Sequence, residues 1–158
     1  MMVTVAHDGP YGARGDTVKA EREELGRLVA NAAFLKPFGF VLQACAPGEC
    51  TLVAPYAVSL ERPGGILSGI TLMAAADVAM WVAILTERGT AEQWVTTDMK
   101  TAFLNGARGT DVFCSARVLK LGKRNAYGTA ECRGSNGELL AHHVLSYALV
   151  PADRTSTQ

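Results

Sequence analysis

Residues 63–85 read PGGILSGITLMAAADVAMWVAIL, and this stretch decides the fold. Its only charged residue is Asp77, which stands among small and apolar residues. From about Ser68 to Thr86 the pattern predicts a helix that is hydrophobic on nearly every face, so other elements must wrap it. An ionised carboxylate inside such a helix is costly unless it is paired, hydrogen-bonded or protonated. Asp77 therefore serves either a structural partner or chemistry.

The same stretch is about long enough to span a bilayer, but Asp77 bisects it and Ser68, Gly69 and Thr71 dilute its hydrophobicity. We therefore expect a buried core helix and no membrane partner. A chain of 158 residues supports one domain with a proper core, and its 49% of apolar residues leaves a surplus for an interface. Fifteen basic and fifteen acidic residues balance, which gives no net field to attract nucleic acid.

The segments around this helix predict one α-helix and then strands. From Asp16 to a point before Pro37 the spacing of apolar residues indicates an amphipathic helix, with Asp16 or Thr17 as its N-cap. Residues 38–46 and 49–57 read as a hairpin turned at Pro47-Gly48. Four further strands are expected within residues 92–104, 110–121, 125–133 and 138–150.

The strand in residues 110–121 alternates a small, apolar face of Val112, Cys114, Ala116 and Val118 with a second face. Such a face suits packing against a helix. The predicted fold class is α+β: an antiparallel sheet curled around one buried central helix, with an N-terminal helix. We expect residues 1–15 to be a flexible lead, residues 16–151 a single domain and residues 152–158 a flexible tail.

The cysteines indicate the cellular compartment. Cys45, Cys50, Cys114 and Cys132 lie in apolar or strand-like contexts without CxxC spacing, which favours buried free thiols over disulfides or a metal site. The N-terminus lacks a basic start followed by an apolar block. We expect a cytoplasmic protein with no metal.

Gly65-Ile66-Leu67-Ser68-Gly69 is followed, after seven intervening residues, by Asp77. This pattern resembles the G-x-x-H-G-G motif, followed by Asp or Glu, of hotdog-fold acyl-CoA thioesterases of the PaaI-like, 4-hydroxybenzoyl-CoA thioesterase group. Residues 95–104 and 122–147 are similar to later strands of that group, and the resemblance covers roughly residues 16–151. The family's His falls on Ser68, its second glycine on Ile70 and its Asn or Gln on Arg62.

The resemblance implies hydrolysis of an acyl-CoA thioester. Asp77 would be the nucleophile or general base, and Thr96 the hydroxyl that supports it. Gly69 would lie in the first helical turn, where free backbone N–H groups can stabilise an oxyanion. Arg62 and Ser68 would contact the substrate. Lys123 and Arg124 would meet the phosphates of coenzyme A, which is part of the substrate and not a cofactor; no other cofactor is expected.

Eight residues of helix separate Gly69 from Asp77 by about 12 Å, so the two cannot act on one carbonyl within a single subunit. A homodimer whose central helices run antiparallel would place the glycine of one subunit opposite the carboxylate of the other. The resemblance implies the same arrangement, with two composite sites per dimer. Whether two such dimers associate further into a tetramer stays open.

Each residue also has a structural interpretation. Asp77 could pair with Arg62 or bind backbone donors, Gly69 could serve a close backbone approach, and Thr96 is an ordinary strand residue. Lys123 and Arg124 could be solvated surface.

Three further residues in the predicted strands receive no functional role. Asp98 would face the same side of its strand as Thr96 if the pairing is regular, and His142 and His143 read as sheet residues, one facing outward.

Two other functions remain open for the whole protein. One is a hotdog protein that binds acyl-CoA or another acyl ligand without catalysis. The other is a hydratase or dehydratase, which would need a catalytic His near Asp77, and the sequence shows none there.

Overall fold

The computed structural model describes residues 18–152. Its elements are helices α1 (Arg22–Asn31) and α2 (Gly69–Arg88) and strands β1 (Val41–Ala46), β2 (Glu49–Ala54), β3 (Glu61–Arg62), β4 (Ile66–Leu67), β5 (Trp94–Phe103), β6 (Val112–Leu121), β7 (Asn125–Gly134) and β8 (Leu139–Leu149). Six strands form an antiparallel sheet in the order β1–β2–β6–β7–β8–β5, and β3 pairs only with β4. The predicted α+β architecture is confirmed.

Helix α2 lies against the sheet and supplies much of the core. Ala75, Ala76, Ala79, Val82 and Ala83 are fully buried, and these small side chains let the strands approach the helix closely. The helix ends at Arg88, two residues after the predicted limit of Thr86, and Gly89 follows as its C-cap at φ +82°. By length and composition α2 could cross a membrane, but 67% of its apolar window is buried inside the fold.

The inner face of the sheet follows the predicted alternation. Val112, Cys114, Ala116 and Val118 are at most 3% exposed, while the residues between them on β6 are more accessible. The predicted hairpin is also confirmed, since β1 and β2 pair on either side of Pro47-Gly48. All four cysteines are free thiols, and Cys45 alone among them is partly exposed.

The start of α1 was predicted wrongly. The helix begins at Arg22 after Glu21, whose side chain makes no capping hydrogen bond, and Asp16 and Thr17 lie outside the described residues. The backbone N–H of Lys19 instead donates to the carbonyl of Thr86, 2.6 Å away, in the last turn of α2. That carbonyl has no partner within its own helix, so this tertiary bond prevails over local helix propensity.

A bulge changes the direction of Asp98. In the pairing of β5 with β8, Thr96 lies opposite Tyr147 and Asp98 opposite Ser146, which leaves Thr97 as the extra residue. The assumption of regular pairing was therefore wrong, and Asp98 is exposed on the face opposite to Thr96. The boundaries at residues 16 and 151 remain predictions, because residues 1–17 and 153–158 are not described.

Candidate active site

Helix α2 begins at the predicted motif. Ser68 is its N-cap, and the Ser68 hydroxyl accepts a hydrogen bond from the backbone N–H of Ile70 at 3.2 Å. Gly69 is the first helical residue, and within residues 18–152 its N–H finds no acceptor. A free N–H at the positive end of the helix dipole is a suitable donor to a developing oxyanion.

Gly69 also makes room for an aromatic ring. A Cβ atom at this position would lie 2.9 Å and 3.0 Å from two ring carbons of Phe103. The glycine therefore has a structural function beside any catalytic one. A cavity of about 390 Å³, the Gly69 pocket, opens here, and its lining comprises Arg62, Ile66, Leu67, Gly69, Leu72 and residues 103–107.

Asp77, in the middle of α2, is held by two hydroxyl groups. Thr96 Oγ1 donates to Asp77 Oδ1 at 2.5 Å, and the Tyr147 hydroxyl lies 2.5 Å from the same oxygen. The Tyr147 hydroxyl is also 2.6 Å from the Asp77 backbone carbonyl, so its single proton is shared between two acceptors on one residue. Thr96 and Tyr147 are direct cross-strand partners, which places both hydroxyls under the helix.

These contacts give the two oxygens of the carboxylate different environments. Burial and the negative charge of Asp77 raise the pKa of Tyr147 far above its usual range, so its hydroxyl keeps its proton and donates at neutral pH. Oδ1 is thus saturated, whereas Oδ2 has no hydrogen-bond donor within the described residues. Oδ2 remains the oxygen with free lone pairs.

A second cavity of about 490 Å³, the Asp77 pocket, surrounds this carboxylate. Its walls come from α1, the turn after it, α2, the start of β5 and β8, and comprise Leu28, Phe34, Asp77, Val78, Trp81, Leu85, Thr90, Glu92, Gln93, Trp94, Val95, Thr96 and Tyr147. The pocket combines a mostly apolar wall with a few polar groups, among them the hydrogen-bonded carboxylates of Asp77 and Glu92, as ligand sites in proteins commonly do.

The structure brings some of the predicted site residues together and separates others. Asp77 and Thr96 share the Asp77 pocket, while Arg62 and Gly69 line the Gly69 pocket. The ion pair considered between Arg62 and Asp77 does not form within residues 18–152, because Arg62 lies on β3, beyond the N-terminal end of α2. Asp77 is satisfied by hydroxyls instead.

Lys123 and Arg124 occupy the exposed turn between β6 and β7 and line neither cavity. The Leu149 N–H donates to the Arg124 carbonyl, and the Val150 N–H donates to the carbonyl of Gln93, each at 2.8 Å. The turn therefore lies at the end of the sheet where Gln93 forms part of the Asp77 pocket. Their contact with coenzyme A stays a prediction.

Sequence reasoning missed Tyr147, although the alternation of β8 places it on the buried face with His143 and Leu145. His143 is fully buried, bonded to Thr101 at 2.8 Å and 3.5 Å from the Cys132 sulfur, and His142 is more accessible, as expected. Neither histidine lines the Asp77 pocket. Within residues 18–152, no cluster of three His, Cys, Asp or Glu side chains is placed to hold a metal ion.

Comparisons with known proteins identify the family of this chain. The thioesterase superfamily matches residues 64–141, a range that contains Gly69, Asp77 and Thr96. A candidate esterase of Thermoplasma volcanium is 30% identical over 104 residues, which are 66% of this chain and 77% of that protein.

Solved structures show the same fold. A candidate thioesterase of Silicibacter superposes with a TM-score of 0.78 at 26% identity, over 87% of this chain and 97% of that one. The PaaI protein of Escherichia coli, from the phenylacetic acid degradation operon, has a TM-score of 0.72 at 17% identity, over 79% and 89% of the two chains, and shows the fold alone. The chain thus belongs to the thioesterase superfamily of hotdog-fold thioester hydrolases.

Proposed function

We propose that the protein is an acyl-CoA thioesterase that hydrolyses an acyl- or aryl-CoA thioester to the free acid and coenzyme A. The observation that carries this proposal is the Asp77 carboxylate, which two hydroxyls hold through one oxygen at the wall of a mostly apolar pocket. A carboxylate with one fixed and one free oxygen is suited to attack a thioester or to activate water.

Two routes use the free oxygen Oδ2. As a nucleophile, it would form an anhydride with the acyl group and expel the coenzyme A thiolate, and water would then release the acid. As a general base, it would take a proton from a water molecule that attacks the thioester carbonyl. Both routes pass through an oxyanion that requires a hydrogen-bond donor. Within one protomer the Gly69 N–H does not supply it, because Gly69 lines the other pocket.

The missing donor is proposed to come from a second copy of the chain. Ile70, Met73, Asp77 and Trp81 recur at helical spacing along a face of α2 that passes from exposed at Ile70 (72%) and Met73 to partly buried at Asp77 and Trp81. Strand β5 is an edge of the sheet and adds exposed Val95. Two such faces packed antiparallel about a two-fold axis would bring Gly69 of each subunit to Asp77 of the other.

The remaining residues are assigned to substrate binding. Arg62 and Ser68 flank Gly69 at the start of α2, where the thioester and its attached pantetheine would pass. Lys123 and Arg124 are proposed to meet the coenzyme A phosphates outside the pocket, at the end of the sheet where Gln93 lies. Coenzyme A is here a part of the substrate.

A second candidate is a hotdog protein that binds acyl-CoA without hydrolysis. The observation in its favour is that Ser68, at the family's His position, uses its hydroxyl to cap α2. Hydrolysis and binding differ in whether thiol is released.

The test of hydrolysis is release of free thiol from a panel of aryl- and aliphatic acyl-CoAs, with Asp77→Asn as the matched variant. Asn keeps an oxygen that accepts from Thr96 and Tyr147 but loses basicity and nucleophilicity. We expect kcat to fall at least about a hundredfold with the fold retained. A stable Asn variant that works at the parental rate would remove Asp77 from the mechanism, and tight binding without thiol release would establish the ligand-binding alternative.

A further inference from the structure

The walls of the Asp77 pocket differ sharply from its polar end. Val78, Leu85 and Trp94 are at most 4% exposed, and the indole of Trp81 is half-buried beside them. Leu28 on α1 and Phe34 in the following turn add further apolar lining. A group that enters beside Asp77 therefore meets apolar surface on several sides.

The charged side chains of this lining disfavour an anionic guest. Asp77 and Glu92 are its ionisable carboxylates, and no Lys, Arg or His is among the described lining residues. An acyl group that ends in a carboxylate would be desolvated there without a cation.

Glu92 is also unavailable to a cationic guest. Arg88 donates from Nε and Nη2 to the two Glu92 oxygens at 2.7 and 2.8 Å, and Trp94 Nε1 adds a third bond at 3.0 Å. The Arg88 guanidinium lies over the Trp94 ring, 5.4 Å from its centroid. Arg88, Glu92 and Trp94 thus form a cluster at the pocket rim in which Arg88 neutralises the charge of Glu92. A guest finds no free countercharge on that side.

We propose that the Asp77 pocket holds the acyl part of the substrate and selects a neutral, apolar acyl group of medium size, aliphatic or aromatic. Acetyl-sized groups and groups that end in a carboxylate are poor substrates. This inference rests on the proposed thioester hydrolysis. A cavity of about 490 Å³ lies within the range of small-molecule sites, and an acetyl group would leave most of it unfilled.

A series of straight-chain acyl-CoAs from acetyl to decanoyl tests the size selection. Each methylene that becomes buried should raise kcat/KM about fourfold, which is ~0.8 kcal/mol converted at ~1.36 kcal/mol per tenfold, until the pocket is full. Hexanoyl-CoA and adipoyl-CoA test the charge selection, because they share a six-carbon chain and differ in a terminal carboxylate. We expect adipoyl-CoA to react at least about a hundredfold more slowly. A flat length series, or equal rates for this pair, overturns the inference while leaving hydrolysis established.

Intrinsic fluorescence supplies a readout independent of turnover. The chain has two tryptophans, Trp81 and Trp94, and both line this pocket. S-octyl coenzyme A, a thioether that cannot be hydrolysed, should shift or quench their emission, whereas S-ethyl coenzyme A should do so only at much higher concentration. Identical responses to the two thioethers would contradict the assignment, even if no acyl-CoA is hydrolysed and the proposed function fails.

Variants connect both readouts to the pocket. Phe34→Ala removes a ring that is 68% exposed and should leave the fold intact, yet lower kcat/KM severalfold for decanoyl-CoA and little for butyryl-CoA. Val58→Ala, 72% exposed and outside both cavities, is the matched control and should change neither substrate. An equal loss on both substrates for Phe34→Ala would place the acyl group elsewhere.

Discussion

At Asp77, two hydroxyl groups and one carboxylate oxygen form the polar part of an otherwise apolar contact between α2 and the sheet. Thr96 and Tyr147 do not touch the free oxygen, so their effect on chemistry is to fix the direction in which it points. In the proposed mechanism Tyr147 is therefore a positioning residue. The apolar helix tolerates this carboxylate because Thr96 and Tyr147 on the strands supply hydroxyl donors for it.

Tyr147→Phe removes one of the two donors and leaves the ring. We expect kcat to fall between about 10- and 100-fold through misdirection of Asp77, with KM nearly unchanged. Loss of the bond should also lower stability by about 1 kcal/mol. Tyr127→Phe, on the exposed side of β7, is the control and should alter neither quantity. A thermal shift without any change in kcat would reduce Tyr147 to a structural residue.

At the scale of the element, the first turn of α2 combines two requirements. Ser68 caps the helix, and Gly69 leaves its N–H unbonded while the Phe103 ring of β5 packs over its missing side chain. Glycine is thus explained both by the ring and by access to the N–H. The two explanations predict different activities for a variant in which Gly69 and Phe103 are both replaced.

Gly69→Ala places a Cβ against the Phe103 ring, so it should lose activity alone. In a Phe103→Ala background the crowding is gone. If the Gly69 N–H must approach the thioester oxygen, the added Cβ still obstructs the site, and kcat should stay at least about tenfold below that of Phe103→Ala. Full recovery of activity in the double variant would assign Gly69 to packing alone. Steady-state thiol release on the three variants makes the comparison.

The elements also show what sequence could and could not predict. Local patterns were sufficient for α2, for the β1–β2 hairpin and for the alternation of β6, because hydrophobicity or turn residues within one short segment determine each. The start of α1 was missed, since the Lys19–Thr86 bond is tertiary. Tyr147 was missed because its approach to Asp77 depends on the β5–β8 register, which includes the bulge at Thr97. The spacing of residues along the chain does not determine that register.

At the scale of the whole molecule, the Asp77 pocket and the Gly69 pocket are separate in one protomer, so the proposed enzyme requires an assembly. Sedimentation at micromolar concentration should show a species of at least twice 16.7 kDa. A monomer alone under conditions where thiol is released would contradict the shared site.

The assembly should also bind the nucleotide end of the substrate from the β6–β7 turn. Replacing Lys123 and Arg124 together by Ala should raise KM for acyl-CoA and leave a short thioester without the nucleotide unaffected. Arg27→Ala with Lys36→Ala, an equal change of charge on and just after α1, is the control. Equal effects on both substrates would leave the turn as solvated surface.

The most direct test of the shared site is complementation between two inactive subunits. Asp77→Asn removes the carboxylate, and Gly69→Leu with Phe103→Ala obstructs the N–H; a mixed dimer of the two would contain one site with both defects and one intact site. After co-refolding equal amounts, random pairing makes half the dimers mixed, and thiol release should recover to about a quarter of the parental rate. A mixture of Asp77→Asn with Asp77→Ala should recover none. If the first mixture shows no more activity than its two components measured separately, the site does not combine Asp77 of one subunit with Gly69 of the other.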